Sequence, residues 1–170
     1  MANLKNTPAQ LATLTDLTSK EVEAIAGAVN PLIGDAFAAY IKTKNFHWHL
    51  SGPHFRDYHL LFDEHAESIL ESIDVLAERT RKIGATTVRS IGHVAKLQTI
   101  KDDDDDFVPA REMVQRLMND NNSMAKAIRA AIEICDNNSD TPTGNLLQEI
   151  LDQTERRKWF LFEILQDEQT

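Results

Sequence analysis

The sequence predicts an all-α protein: a four-helix bundle with a short extra helix in the long connection between helices two and three. Three observations point there. Apolar residues recur at helical spacing through four long stretches. Only six glycines and five prolines punctuate 170 residues. No run of alternating β-branched residues marks a strand. With 42% hydrophobic residues, the chain can bury one sizeable core.

Residues 1–17 are polar and read as a flexible arm. Thr18 and Glu21 match a capping box, so the first helix starts there. Val22, Ile25, Val29, Leu32, Ile33, Phe37 and Tyr40 keep its apolar register to about Leu50. Pro31 falls inside this pattern and removes a backbone donor, which predicts a kink or a late start. Ser51, Gly52 and Pro53 end the helix. A second helix spans 55–83 and stops at Gly84, with Leu61, Phe62, Ile69, Ile73 and Leu76 as its apolar flanks. In the connection, Val88, Ile91, Val94 and Leu97 indicate the short helix, and His93 reads as a capping or structural residue. The five acids Asp102 to Asp106 repel one another and mark a solvated loop. A Ca²⁺ loop would need alternating ligands and a central glycine. Val108 and Pro109 open the third long helix, which runs to about Cys135. Asp140 or Thr141 caps the fourth, with Pro142 in its first turn. The bundle therefore covers 18–166, and 167–170 form a short acidic tail. Two helical hairpins joined by a crossover make the ferritin-like arrangement.

The net charge of −9 disfavours general affinity for nucleic acid. Lys5, the one basic residue of the arm, would neutralise little phosphate. No apolar run of about 18 residues suggests a membrane span, and no basic-then-apolar leader suggests secretion. A single cysteine, Cys135, cannot form an intrachain disulfide. These features fit a cytoplasmic protein.

The second helix carries the chemistry. His59, Asp63, Glu67, Asp74 and Glu78 fall within roughly 100° of arc at 3.6 residues per turn. No Lys or Arg interrupts 58–78, whereas an ordinary solvated face scatters cations to form i,i+4 pairs. Two readings of the stripe are open: a cation site, or a solvated acidic face. His59 and Asp63 are one turn apart, as are Asp74 and Glu78. The two pairs are separated by about 22 Å along the helix, so one ion cannot touch both in one chain. Two copies packed antiparallel about an axis near residue 68 or 69 would bring them together twice, because a two-fold interface is isologous. The internal Glu-x-x-His pair of intra-bundle di-iron proteins is absent from the sequence.

The segment from Thr43 to Phe55, with Asn45, Phe46, His47, Trp48, His49, Gly52 and His54, followed by His59, Asp63, Asp74, Glu78 and Arg79, closely resembles the Dps family, the miniature ferritins of DNA protection in starved cells. The likeness spans 18–166. It implies a hollow homododecamer with di-iron ferroxidase centres at its two-fold interfaces. His47, His59 and Asp63 would come from one subunit, and Asp74 and Glu78 from its partner, with Trp48 beside the centre. It implies oxidation of Fe(II), two ions per centre, by hydrogen peroxide in preference to dioxygen, and storage of the ferric mineral. It makes Asp140, Glu149 and Asp152 candidates to line three-fold iron pores, although Asn145 stands where relatives often carry an acid. His49, His54 and His65 are left as surface or structural residues. The alternative function within the family, a DNA-binding, nucleoid-compacting protein, is opposed by the weakly basic arm and the acidic tail.

Overall fold

The computed structural model describes residues 8–166; the expectations for Lys5 and for the tail 167–170 lie outside the described residues. The chain begins with a single 3₁₀ turn at Ala9–Leu11, then forms α1 (Ser19–His49), α2 (Phe55–Lys82), α3 (Ile91–Leu97), α4 (Ala110–Asn137) and α5 (Thr141–Ile164). α1 packs on α2, α4 packs on α5, and α1 joins the two hairpins through α4. This is the four-helix bundle with a crossover that the periodicity predicts.

The helix ends follow local chemistry. Thr18 Oγ1 accepts from the Glu21 amide, and Glu21 Oε2 accepts from the Thr18 amide at 2.6 Å, closing the capping box. Ser90 caps α3 and Asp140 caps α5. α2 ends before Gly84, whose φ of 91° suits a residue without Cβ. α1 passes through Pro31 without interruption, so the late start is corrected. The carbonyl that Pro31 leaves without an amide partner is that of Gly27, on the exposed side of the helix where water can reach it. α1 is also long and apolar enough to cross a membrane, contrary to the expectation that no such run exists. Its apolar positions, Ile25, Val29, Leu32 and Ile33, are buried within the bundle.

The crossover is fastened to α1. Asp35 accepts hydrogen bonds from the amides of Thr99 and Ile100 and from Thr99 Oγ1. Beside it, a Cβ on Gly34 would lie 2.9 Å from the Gln98 nitrogen, so only glycine lets the chain pass this close. The part of the arm that is described is tied down as well. Thr13 donates to the Arg81 carbonyl and Arg81 donates to the Leu11 carbonyl.

Two apolar clusters fill the interior. One includes Ile25, Ile33, Ile69, Leu76, Ile128 and Leu147; the other includes Phe46, Phe62, Met113, Leu117 and Leu161. Between their levels on the helices lies a polar layer. Arg157 is buried and donates to Asn121 Oδ1, Ser68 Oγ and Thr154 Oγ1. Lys42 reaches Asp120 at 2.8 Å. All of Arg157's recorded partners are neutral, and burial pushes its guanidinium down to about 10.

His65 belongs to this layer and not to the surface. It is 3% exposed, and neither ring nitrogen has a hydrogen-bond partner. Its ring lies parallel to that of Phe160, 6.4 Å away. Burial, then the nearby Arg157 and Arg156, push its pKa down to about 3. Folding therefore requires the neutral imidazole, while the unfolded chain takes up a proton below about pH 6.5. Stability contributed at neutral pH should fall by up to about 1.4 kcal/mol per unit as pH drops from 6.5 towards 3. Urea midpoints measured from pH 7 to 4.5 should show this slope in the native chain and lose it in His65→Leu. An equal slope in both would show that His65 is not the responsible group.

Candidate metal centre

The loop between α1 and α2 places His47, at the end of one helix, against His59 in the first turns of the next. The two rings stack at 3.7 Å between centroids with 19° between planes. Their backbones clamp them reciprocally: His47 Nδ1 lies 2.8 Å from the His59 carbonyl, and His59 Nδ1 lies 3.0 Å from the His47 carbonyl. A carbonyl only accepts, so each Nδ1 carries the proton, and the neutral ring in this tautomer keeps its lone pair on Nε2. This is the tautomer a metal-ligating histidine needs, with the outer hydrogen bond fixing the ring. Phe55 covers His59 at 5.0 Å.

Asp63 completes this end. Its Oδ1 stands 4.0 Å from His47 Nε2 and accepts from Lys44 Nζ at 2.6 Å. That hydrogen bond holds the Asp63 carboxyl below the ordinary carboxylate range. The acid stripe therefore has counter-charges at both ends, one of them from another helix. Lys44 comes from α1, three residues before His47, and Lys82 pairs with Glu78 at 3.1 Å one turn on. Asp74 and Glu78 are exposed at the far end of α2, as is Glu67 between the pairs. Among the described residues, no group of three or more His, Cys, Asp or Glu side chains is close enough to hold a metal. One chain stacks His47 on His59 and sets Asp63 4.0 Å from His47, without closing the three on one point, and Asp74 and Glu78 lie further along α2.

The other candidates are placed as follows. Trp48 is 61% exposed. His49 and His54 are exposed, as expected for surface residues. Glu149 and Asp152 line one open hollow of about 630 Å³ on α5 with Asn145, Gln148 and Gln153. Asp140 does not join them. It is 2% exposed, bonded to Arg79 Nη2 at 2.6 Å and engaged with both the amide and the hydroxyl of Thr143. Its carboxylate is committed to the α5 cap, which corrects the expectation of a pore acid. Sequence reading missed Lys44, although its position three residues from His47 puts both on one face of α1.

A family model described as a ferritin-like domain matches residues 26–170. DNA protection during starvation protein 1 of Deinococcus radiodurans is 28% identical over 152 residues, 89% of this chain and 73% of the relative. The structure of DpsC from Streptomyces coelicolor superposes with a TM-score of 0.89 at 28% identity, covering 93% of this chain and 92% of that one. The Dps protein of Vibrio cholerae O1 superposes at 0.86 with 25% identity, covering 94% of this chain and all of that one. That Vibrio protein is a member of a broad superfamily of ferritin-like diiron-carboxylate proteins.

A cation on Asp63 has to compete with Lys44. The pair is only partly shielded, so it contributes no more than about 1 kcal/mol. Lys44→Met should therefore tighten binding of Co²⁺, a spectroscopic stand-in for Fe(II), by roughly two- to fivefold in an anaerobic titration. Weaker binding would mean that Lys44 orients Asp63 and does not compete for it.

Proposed function

The chain belongs to the Dps proteins of the ferritin-like family, and from that premise we propose that it oxidises Fe(II) at a centre assembled from two copies of itself. Membership supports iron storage with protection from oxidative damage as the general function. The finer reading rests on one observation. Reciprocal backbone clamps fix the His47 and His59 rings through Nδ1, with His47 Nε2 4.0 Å from Asp63, while the remaining acid pair sits about 22 Å away along the same helix.

A second α2 running antiparallel would lay Asp74 and Glu78 of the partner over this half-site. The same outer face of α2 exposes Leu60 and Leu70, apolar area that such a partner would cover. Carboxylates and imidazoles suit Fe(II), and a carboxylate-rich set favours the Fe(III) product further. Two Fe(II) ions each give one electron to hydrogen peroxide. The O–O bond breaks, both oxygens end at the oxidation level of water, and no hydroxyl radical is released. Hydrolysis of the ferric ions to oxyhydroxide gives up protons, and the mineral collects inside a dodecameric shell. Dioxygen is the slower oxidant. Trp48 lies beside the centre, and Glu149 and Asp152 line the iron entry. The bundle 18–166 carries the whole centre, with 1–17 as an arm and 167–170 as a tail. With a charge of −9, protection of DNA in the cytoplasm comes from removing iron and peroxide and not from coating the DNA.

Mixed assemblies test the sharing. His59→Ala/Asp63→Ala and Asp74→Ala/Glu78→Ala should each abolish fast peroxide-dependent oxidation while sizing shows the assembly intact. Co-assembled at random, the two variants should recover about a quarter of native activity. Half of the dimers are then mixed, and each mixed dimer keeps one of its two centres whole. No recovery in intact mixed assemblies would place the centre within one chain.

A further inference from the structure

The last turn of α2 carries three cations, Arg79, Arg81 and Lys82, next to Glu78. They suit the negative end of the helix dipole, yet each would repel a divalent cation approaching Asp74 and Glu78. The structure directs two of them elsewhere. Arg81 donates to the Ala85 and Leu11 carbonyls. Arg79 donates through Nε to Thr143 Oγ1 at 2.7 Å and through Nη2 to Asp140 Oδ1 at 2.6 Å. Only Lys82 pairs with Glu78, and both side chains are largely exposed, at 63% and 59%. Such a pair is weak and easily displaced. Asp140 is thus the carboxylate that neutralises Arg79, and its own side chain is 1% exposed. The charge compensation therefore lies in a poorly screened environment.

We propose that Asp140 is a positioning residue for Fe(II) binding: by neutralising Arg79 and pinning it to the start of α5, it keeps that cation from opposing metal at Asp74 and Glu78. The role rests on reading Asp74 and Glu78 as iron ligands. It gives the Asp140 carboxylate a use beyond the cap, since asparagine caps a helix about as well as aspartate.

Asp140→Asn keeps the cap and removes the charge. Anaerobic calorimetry should show half-saturation by Fe(II) raised roughly three- to tenfold. In peroxide-dependent oxidation, KM for Fe(II) should rise with kcat little changed. Adding Arg79→Gln should restore half-saturation, because the unneutralised cation is gone. Arg79→Gln alone, with the native cap in place, should bind Fe(II) at least as tightly as the native protein. Unchanged half-saturation in Asp140→Asn would overturn the role, as would failure of the double variant to recover, since local disorder at α5 is not repaired by losing a second hydrogen-bonding group. Native-like Fe(II) binding in Asp74→Ala would remove the ligand reading itself and the role of Asp140 with it.

Discussion

A straight helix cannot bring its own ends together, and α2 is held straight by the bundle. Phe62, Ala66, Ile69, Ile73 and Leu76 are all turned inward and buried, so the opposite face is fixed outward along its full length. That face carries one ligand group near its start and another near its end, about 22 Å apart. No side-chain motion in one chain closes that gap. On the proposed reading, assembly is a condition of the chemistry: a free monomer holds two half-sites and no centre. The same rigidity makes the antiparallel register specific, because on that reading a slip of one turn would leave only one of the two acids opposite His59 or Asp63.

The interior explains why the chemistry lies outside. Proteins of this architecture that bind metal within the bundle line it with carboxylates and histidines on facing helices. Here the corresponding polar layer presents Arg157 and Lys42, one solvated by neutral oxygens and one paired with Asp120. Burial, set against the pull of Lys42, raises the Asp120 carboxyl. Two buried cations oppose a third. The one histidine in the layer, His65, is kept neutral by burial and by the neighbouring arginines. The layer instead joins α1 to α4, and α5 to α2 and α4, across the gap between two apolar clusters.

What the sequence made legible was local. The capping box at Thr18, the cap at Asp140, the stop at Gly84 and the short helix after Ser90 depend on residues within a few positions of one another. The ligand stripe was legible because it repeats on one helix. The counter-charges were not. Lys44 meets Asp63 from 19 residues away, and Arg79 meets Asp140 from 61 away. Both contacts are set by how the helices dock. His65 shows the same limit: the helical wheel put it off the stripe, but whether the far side of a helix is solvent or core depends on what packs there. Asp140 had two plausible uses in sequence: its cap on Thr143 is local, but its bond to Arg79 comes only from the docking of α2 against α5.

Each end of the divided site already has a cation at hand, and the two differ. Lys44 is partly shielded, more so than Lys82, and grips a half-exposed Asp63, with side-chain exposures of 18% and 41%. Lys82 and Glu78 are both largely open to water. In the empty protein these ammonium groups offset the repulsion that would arise when two α2 helices bring their acids together. On the proposed reading they also set an order of loading. The Asp74 and Glu78 end gives up its lysine at little cost, because an exposed pair is weak and screened. On the proposed reading, the Asp63 end must first displace a partly shielded, hydrogen-bonded ammonium, so its ion would arrive second and be bound less tightly. On the proposed reading, the divided site is therefore two unequal positions whose difference is built into the burial of two lysines.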